Sequence, residues 1–157
     1  MIGDVNFFLY SSDDGDDTDS ETTDDGPINC VGEVDIMIAD PKDRGKGTGK
    51  AVAVAFLHYI FHNLDAVLAE YAHAQDKPQQ WIPELKMLMA KIKADNEQSI
   101  ALFRSLGFTQ EGDVNYFGEV KLVLQNFDRI YATKPEGYIE LVYAKGDECT
   151  TGANALL

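Results

Sequence analysis

Arg44-Gly45-Lys46-Gly47-Thr48-Gly49-Lys50 stands between two apolar stretches of different character. Upstream, residues 34–39 alternate as a strand does. Val34, Ile36 and Ile38 point one way, and Glu33, Asp35 and Met37 the other. Downstream, residues 51–64 are apolar almost all round, as in a helix packed on a sheet. Three glycines in five residues at a strand-to-helix junction leave bare N–H groups at a helix N-terminus. Those amides and the positive end of the helix dipole converge there, which is the geometry that holds a phosphate. The run therefore predicts a phosphate-bearing ligand.

Two familiar phosphate motifs fail against these letters. A P-loop needs Gly, four residues, then Gly-Lys-Ser/Thr. Counting back from Gly49-Lys50 puts Arg44 on the first glycine and Ala51 on the hydroxyl residue that would hold Mg²⁺. A dinucleotide fingerprint needs Gly-x-Gly-x-x-Gly, and Lys50 occupies its third glycine. What fits is Arg-x-x-Gly-x-Gly, with Arg44, Gly47 and Gly49.

A second segment adds to the first. Residues 96–108 read Asn-Glu-Gln-Ser-Ile-Ala-Leu-Phe-Arg-Ser-Leu-Gly-Phe. Asn96 suits an N-cap, and Gly107 is placed as a C′ glycine. Ile100, Phe103 and Leu106 recur at three-residue steps, with Leu102 beside them, so one face is apolar. Arg-x-x-Gly-x-Gly followed about fifty residues later by Asn-x-x-Ser-x-x-Leu-Phe-x-x-Leu-Gly-Phe resembles the GNAT superfamily of acetyl-CoA-dependent N-acetyltransferases. Residues 32–41 with the loop after them, and the opening residues 2–9, look more narrowly like its N-acetyltransferase 9-like branch. The resemblance spans roughly residues 1–10 and 28–125.

That resemblance implies an acetyl-CoA site. The amides of Gly45, Lys46, Gly47, Thr48, Gly49 and Lys50 would cradle the pyrophosphate, because a Cβ at Gly47 or Gly49 would block close approach. Arg44 and Lys46 would add positive charge. Met37, Ile38 and Ala39 would offer strand amides to the pantetheine arm, with Asn96 against it and Ser99 and Phe103 nearby. Attack by a neutral amine on the thioester calls for a base. Glu33 is the first candidate and Asp35 the second, on the strand face where family members carry a Glu. Glu33 reads equally well as a solvent-facing strand acid. Family members with a tyrosine acid place it where this chain has Phe103, which has no hydroxyl. Tyr116, a water or unaided thiolate departure would have to serve instead.

The implied function is transfer of acetyl from acetyl-CoA to a primary amine of a protein or small molecule. The alternative is a catalytically inactive CoA-binding or protein-interaction module of the same fold. The family fold normally opens with a strand and two helices that are not recognisable here. On that ground an exposed sheet edge, and self-association or a partner chain, are expected. The fold class is α/β (α+β), a mixed, mostly antiparallel sheet flanked by helices.

Length and composition fit this reading. The 157 residues suffice for one domain, and 45% are apolar. No window approaches a membrane span, and no basic-then-apolar leader opens the chain, so a cytoplasmic protein is expected. Cys30 and Cys149 lie far apart and read as free thiols. The net charge is −14. Residues 13–25 hold eight of the 27 acids and no base, which leaves 19 acids against 13 bases elsewhere. Such a chain is a poor nucleic-acid binder.

Residues 1–125 are read as the acetyltransferase-like domain and 126–157 as a C-terminal extension. Strands are expected at 4–10, 28–39 and 85–94, with a hairpin over 109–125 turning near 115–118. A further strand is expected at 138–144. The acidic segment 11–27 reads as a disordered connection, with Thr18 and Thr22 each three residues before an acid. Residues 65–84 read as an insertion broken at Lys77-Pro78 and Ile82-Pro83. His58 and His62 stand at i, i+4 like a zinc pair. Tyr59 replaces the glutamate of His-Glu-x-x-His and no third ligand is evident, so no metal is expected.

Overall fold

A computed structural model describes residues 2–11, 29–75, 83–126 and 134–141. Its elements run β1 (Gly3–Ser11), β2 (Asn29–Ile38), α1 (Thr48–His62), α2 (Leu64–Ala74), β3 (Glu84–Lys93), α3 (Glu97–Ser105), β4 (Thr109–Glu111) and β5 (Glu119–Leu124). The five strands form one sheet in the order β1-β2-β3-β5-β4. Only β2 and β3 are parallel; the other neighbours are antiparallel. The expected mixed, mostly antiparallel sheet flanked by helices is therefore what forms.

β1 and β2 pair along their whole length, from Gly3↔Ile38 to Ser11↔Cys30. Period-two alternation then sorts their side chains. Val5, Phe7 and Leu9 lie on the face of Val34 and Ile36, and the core lies on that side. β3 and β5 add Leu88, Ala90 and Ile92 against Leu124, Leu122 and Val120. Ala53 and Leu57 of α1, Leu68 of α2 and Phe103 of α3 close over this layer. The opposite face carries Asp4, Asn6, Glu33, Asp35, Lys91 and Lys121.

The feature that makes a site is a failure of pairing. β2 and β3 are bonded from Asn29↔Glu84 only as far as Glu33↔Met89, with a register slip at Cys30/Val31 that sharpens the local twist. Beyond that rung β2 stays with β1 to Ile38, and β3 stays with β5 to Lys93. Each strand keeps one neighbour, so residues 34–38 and 90–93 diverge and leave a wedge between them.

Several boundaries differ from expectation. The helix after the Gly-rich run starts at Thr48, inside the run, because the αL turn at Gly47 (φ 83°) already directs the chain into helix. Residues 65–74, the first half of the segment read as an insertion, form α2. Leu, Ala and Glu are strong helix formers, and Leu68 and Ala72 bury on the core side. A 72° bend at Asn63 separates α1 from α2. Residues 138–141 carry no strand. There the chain turns at Pro135, whose carbonyl accepts from the Tyr138 N–H at 3.1 Å, and the Tyr138 ring meets His58 edge-on at 4.8 Å. It thus reaches α1 rather than a sheet edge. Ser11 closes β1. The remaining acidic segment, the breaks at Lys77-Pro78 and Ile82, residues 142–144 and Cys149 lie outside the described residues. No single described helix is long and apolar enough to cross a membrane.

The turn near 115–118 forms as read. The Asn115 side-chain oxygen accepts from the N–H groups of Phe117 and Glu119, each at 2.9 Å, an Asx turn that ties the hairpin together.

Candidate functional site

Where β2 ends, the chain makes a short 3-10 turn, Pro41–Asp43, capped by Asp40, whose carboxylate accepts from the Lys42 N–H at 3.0 Å. Arg44 then reaches back. Its Nε donates to the Ile38 carbonyl at 2.8 Å and its Nη2 to the Ala39 carbonyl at 3.4 Å. This strap fixes the Gly-rich loop against the end of β2 and leaves the guanidinium charge on the cavity wall. Lys46 is held by Asp43 at 3.4 Å, so the loop's own acid offsets its charge. Lys50 makes no ion pair among the described residues.

The α1 ladder begins with the Ala51 N–H donating to the Gly47 carbonyl at 3.0 Å. The amides of Thr48, Gly49 and Lys50 precede that first rung and have no intrahelical partner. With the Arg44 and Lys50 cations on the same wall, neither in an ion pair among the described residues, they suit a phosphate group.

These groups open on a cavity of about 470 Å³ at the mouth of the wedge. Its wall brings together Met37, Ile38, Arg44, Gly45, Gly47, Gly49, Lys50, Asn96 and Ser99, all singled out from sequence. Lys46, Thr48 and Ala39 stand outside the wall. Ala39 is committed elsewhere: its N–H donates to the Ile2 carbonyl of the β1 side at 2.8 Å. Antiparallel alternation gives Met37 the same orientation, so the amides that face the wedge belong to Ile36 and Ile38. The strand-edge amides that sequence reading assigned to Met37, Ile38 and Ala39 are thus shifted, with only Ile38 common to both sets.

Asn96 caps α3 as expected, its side-chain oxygen accepting from the Ser99 N–H at 3.2 Å. The cap also sets the position of the wedge floor. Asn96→Ala is expected to cost about 1 kcal/mol of stability. The check is a lower urea midpoint, together with weaker acetyl-CoA binding as the first turn of α3 frays.

A second cavity of about 370 Å³ lies where β2 and β3 part, lined from the core side by Val34, Ile92 and Phe103, and shares Ile36, Met37, Asn96 and Ser99 with the first. Asp4, Asn6, Asp35, Lys91, Lys93 and Glu119 give it polar walls. Lys93 pairs with Glu119 at 3.1 Å, and hydrogen bonds from Lys93 and Asn115 hold the Glu119 carboxyl below its ordinary range.

The two candidate bases part company here. Glu33 is not a solvent-facing acid. Its side chain is only 10% exposed, and Lys91 Nζ donates to it at 2.9 Å. That hydrogen bond raises the Lys91 pKa above its ordinary value. Glu33 lines neither cavity. Asp35, the next residue on the same face, lines the second one and makes no hydrogen bond or ion pair among the described residues. Partial loss of hydration, then the negative charge of Glu33 and of Asp4, push its carboxyl up, with Lys91 pulling the other way.

Phe103 touches the second cavity but is a core residue, 2% exposed, its ring edge-on to Phe108 at 5.1 Å. His58 and His62 stack at 6.1 Å, and no cluster of three ligating side chains occurs among the described residues. Sequence reasoning missed Ile36, Gln98 and Leu102 of the first cavity. In the second it missed Asp4, Asn6, Lys91, Lys93 and Glu119. The strand residues were visible as alternation, but which strands diverge was not.

Comparison with known proteins gives the family. The family described as acetyltransferase (GNAT) domain matches residues 1–109. An N-acetyltransferase 9-like protein of Schizosaccharomyces pombe is 34% identical over 134 residues, 79% of this chain and 56% of that protein. The human alpha/beta-tubulin-N-acetyltransferase 9 is 34% identical over 124 residues, 79% of this chain and 44% of that protein. The chain spans about half the length of the curated relatives it matches. Among solved structures, Arabidopsis thaliana NAA60 in complex with acetyl-CoA aligns with a TM-score of 0.49 at 13% identity, over 80% of this chain and 66% of that one. With a family match over more than half its length, and with the strand-to-helix loop and capped helix lining one cavity, the chain belongs to the acetyltransferase (GNAT) family.

Proposed function

We propose that the protein binds acetyl-CoA in the cavity between β2, α1 and α3 and transfers its acetyl group to a primary amine. The observation that carries this reading is the wedge itself. It ends at the Gly-rich loop, so one cavity offers loop amides and the Arg44 and Lys50 cations to phosphates at one end. At the other it offers the free amides of Ile36 and Ile38 to an amide-bearing arm. Lining shared with the second cavity gives an acceptor a route to the thioester from the open face of the sheet.

The acceptor is read as a protein amine. Relatives from fly, human and mouse are named alpha/beta-tubulin-N-acetyltransferase 9, which makes tubulin the first acceptor to try. A small-molecule amine fits the same chemistry. Cytoplasmic action is part of the proposal, as tubulin would require.

A thermal titration tests the donor site. Acetyl-CoA at about a hundred times its Kd should stabilise the fold by about 2.7 kcal/mol. ATP, which lacks the pantetheine arm, should shift the midpoint much less. No shift with acetyl-CoA in a folded sample overturns the reading. Release of free CoA thiol with tubulin then tests transfer.

A non-catalytic CoA-binding module is the second reading. Phe103 supports it, because at 2% exposure and without a hydroxyl this position supplies no proton to the leaving thiolate. A saturable shift without thiol release from any amine would favour it.

A further inference from the structure

We propose that Asp35 is the group that takes the proton from the acceptor amine, and that Glu33 and Lys91 instead form a clamp that holds the strands where they part. This rests on the acetyl-transfer reading. It reverses the order in which the sequence ranked the two acids.

The clamp is geometric. Glu33 belongs to the last rung between β2 and β3, opposite Met89. Lys91 lies two residues further along β3, on the same face. Their 2.9 Å contact therefore runs diagonally across the strands just where their hydrogen bonds stop. Tyr10 adds to it from β1, its ring centroid 5.9 Å from the Lys91 ammonium. A carboxylate committed in this way, nearly buried and outside both cavities, is poorly placed to meet an incoming amine.

Asp35 is placed to meet one. It stands one step beyond the clamp, past the last β2–β3 rung, on the wall of the cavity that adjoins the donor cavity. The charged groups around it are Asp4 of β1, Glu33 on its own strand, Lys91 and Lys93 of β3, and Glu119 of β5. Both lysines are already paired, Lys91 with Glu33 and Lys93 with Glu119. Asp35 and Asp4 are left as the surplus negative charge of this cavity, which suits an acceptor arriving as an ammonium.

The step balances without another reagent. An ammonium R–NH3+ gives one proton to the Asp35 carboxylate. The freed lone pair attacks the thioester carbonyl carbon, and the C–S bond breaks. The CoA sulfur leaves with its electron pair and takes a second proton from the amine, giving the thiol. The third proton stays on the amide nitrogen, and Asp35 returns its proton to water.

The test compares Asp35→Asn, Asp35→Glu and Glu33→Gln in kcat/KM against pH, with tubulin as acceptor. The wild type should lose rate as pH falls through an acidic limb displaced upward from an ordinary aspartate. Asp35→Asn should lower kcat/KM by about 10²- to 10⁴-fold and erase that limb, and Asp35→Glu should restore part of both. Glu33→Gln should keep the limb and lower the melting midpoint. A fold control separates chemistry from unfolding. The folded form disfavours ionised Asp35, so Asp35→Asn should melt no lower than wild type at pH 7. That advantage should fade as pH falls and the wild-type carboxyl protonates.

Asp35→Asn within twofold of wild type, or a limb erased by Glu33→Gln instead, overturns the proposal. If the chain binds acetyl-CoA but turns nothing over, carbon-13 titration of the Asp35 carboxyl in the CoA complex decides. Glycinamide should lower its midpoint, and no response overturns the assignment. Absence of the acetyl-CoA thermal shift is a different failure, that of the donor site.

Discussion

Gly47→Trp is expected to abolish detectable acetyl-CoA binding, a loss of at least about a hundredfold in Kd, while the chain still folds. Gly47 is the N-cap of α1 and sits at φ 83°, ψ −7°, a conformation that L side chains rarely adopt. Holding a side chain there costs about 1–2 kcal/mol, which a domain of ordinary stability survives. A Cβ at Gly47 would meet no protein atom within 4 Å. The space it would enter is the cavity mouth, so the indole displaces ligand rather than core. The cost falls on binding twice, because the side chain occupies the approach to the α1 amides and shifts the turn that aims them. Gly49→Ala is the contrast. Its added Cβ would lie 3.5 Å from Leu102 Cδ2 and 3.9 Å from Ile38 Cγ1, ordinary contacts, and its φ is not positive. It should fold normally and weaken binding far less. Isothermal titration of both variants against acetyl-CoA, with urea unfolding of each, makes the comparison. Binding by Gly47→Trp within tenfold of wild type would remove the loop from the donor site.

The largest effect on stability is expected at Phe103. Phe103→Ala should cost about 3–5 kcal/mol, the range for emptying a buried aromatic site. The ring is 2% exposed, stands edge-on to Phe108, and joins α3 to the same cluster as Leu122 and Ile92. No neighbour can close the gap without moving α3, and α3 carries Asn96 at its start. The loss should therefore spread to the wedge, so that donor binding weakens beyond what the smaller folded fraction explains. Urea unfolding measures the first effect and acetyl-CoA titration under folding conditions the second. A change under about 1 kcal/mol would mean that α3 is held by something other than this ring.

Much of this was legible from letters because it is local. A glycine run that changes the chain from period two to period 3.6 specifies a strand, a tight turn and a helix N-terminus without reference to anything distant. Asn96, Ser99 and Gly107 specify a capped, terminated helix in the same way, and the cap forms through the very pair of atoms that the spacing implies. The alternation read over 33–38 separates a core face from an open face. Where local reading failed, the deciding contact was non-local. Residues 65–74, to which the letters gave no element, form α2 with Leu68 and Ala72 in the core. Residues 138–141 stayed out of the sheet because Tyr138 found His58.

The chain by itself thus determined the strand, turn and helix start at the loop and the capped helix after it, and it offered two acids as candidate bases. The tertiary structure decided how those acids divide. Glu33 and Asp35 stand two residues apart on one face of one strand. One lies at the last rung of a parallel pair, where Lys91 of another strand meets it at 2.9 Å, and the other lies past that rung on an open wall. The point at which two strands stop bonding depends on what each bonds to on its far side, β1 for β2 and β5 for β3. That is a property of the whole sheet, which no local pattern in either strand encodes.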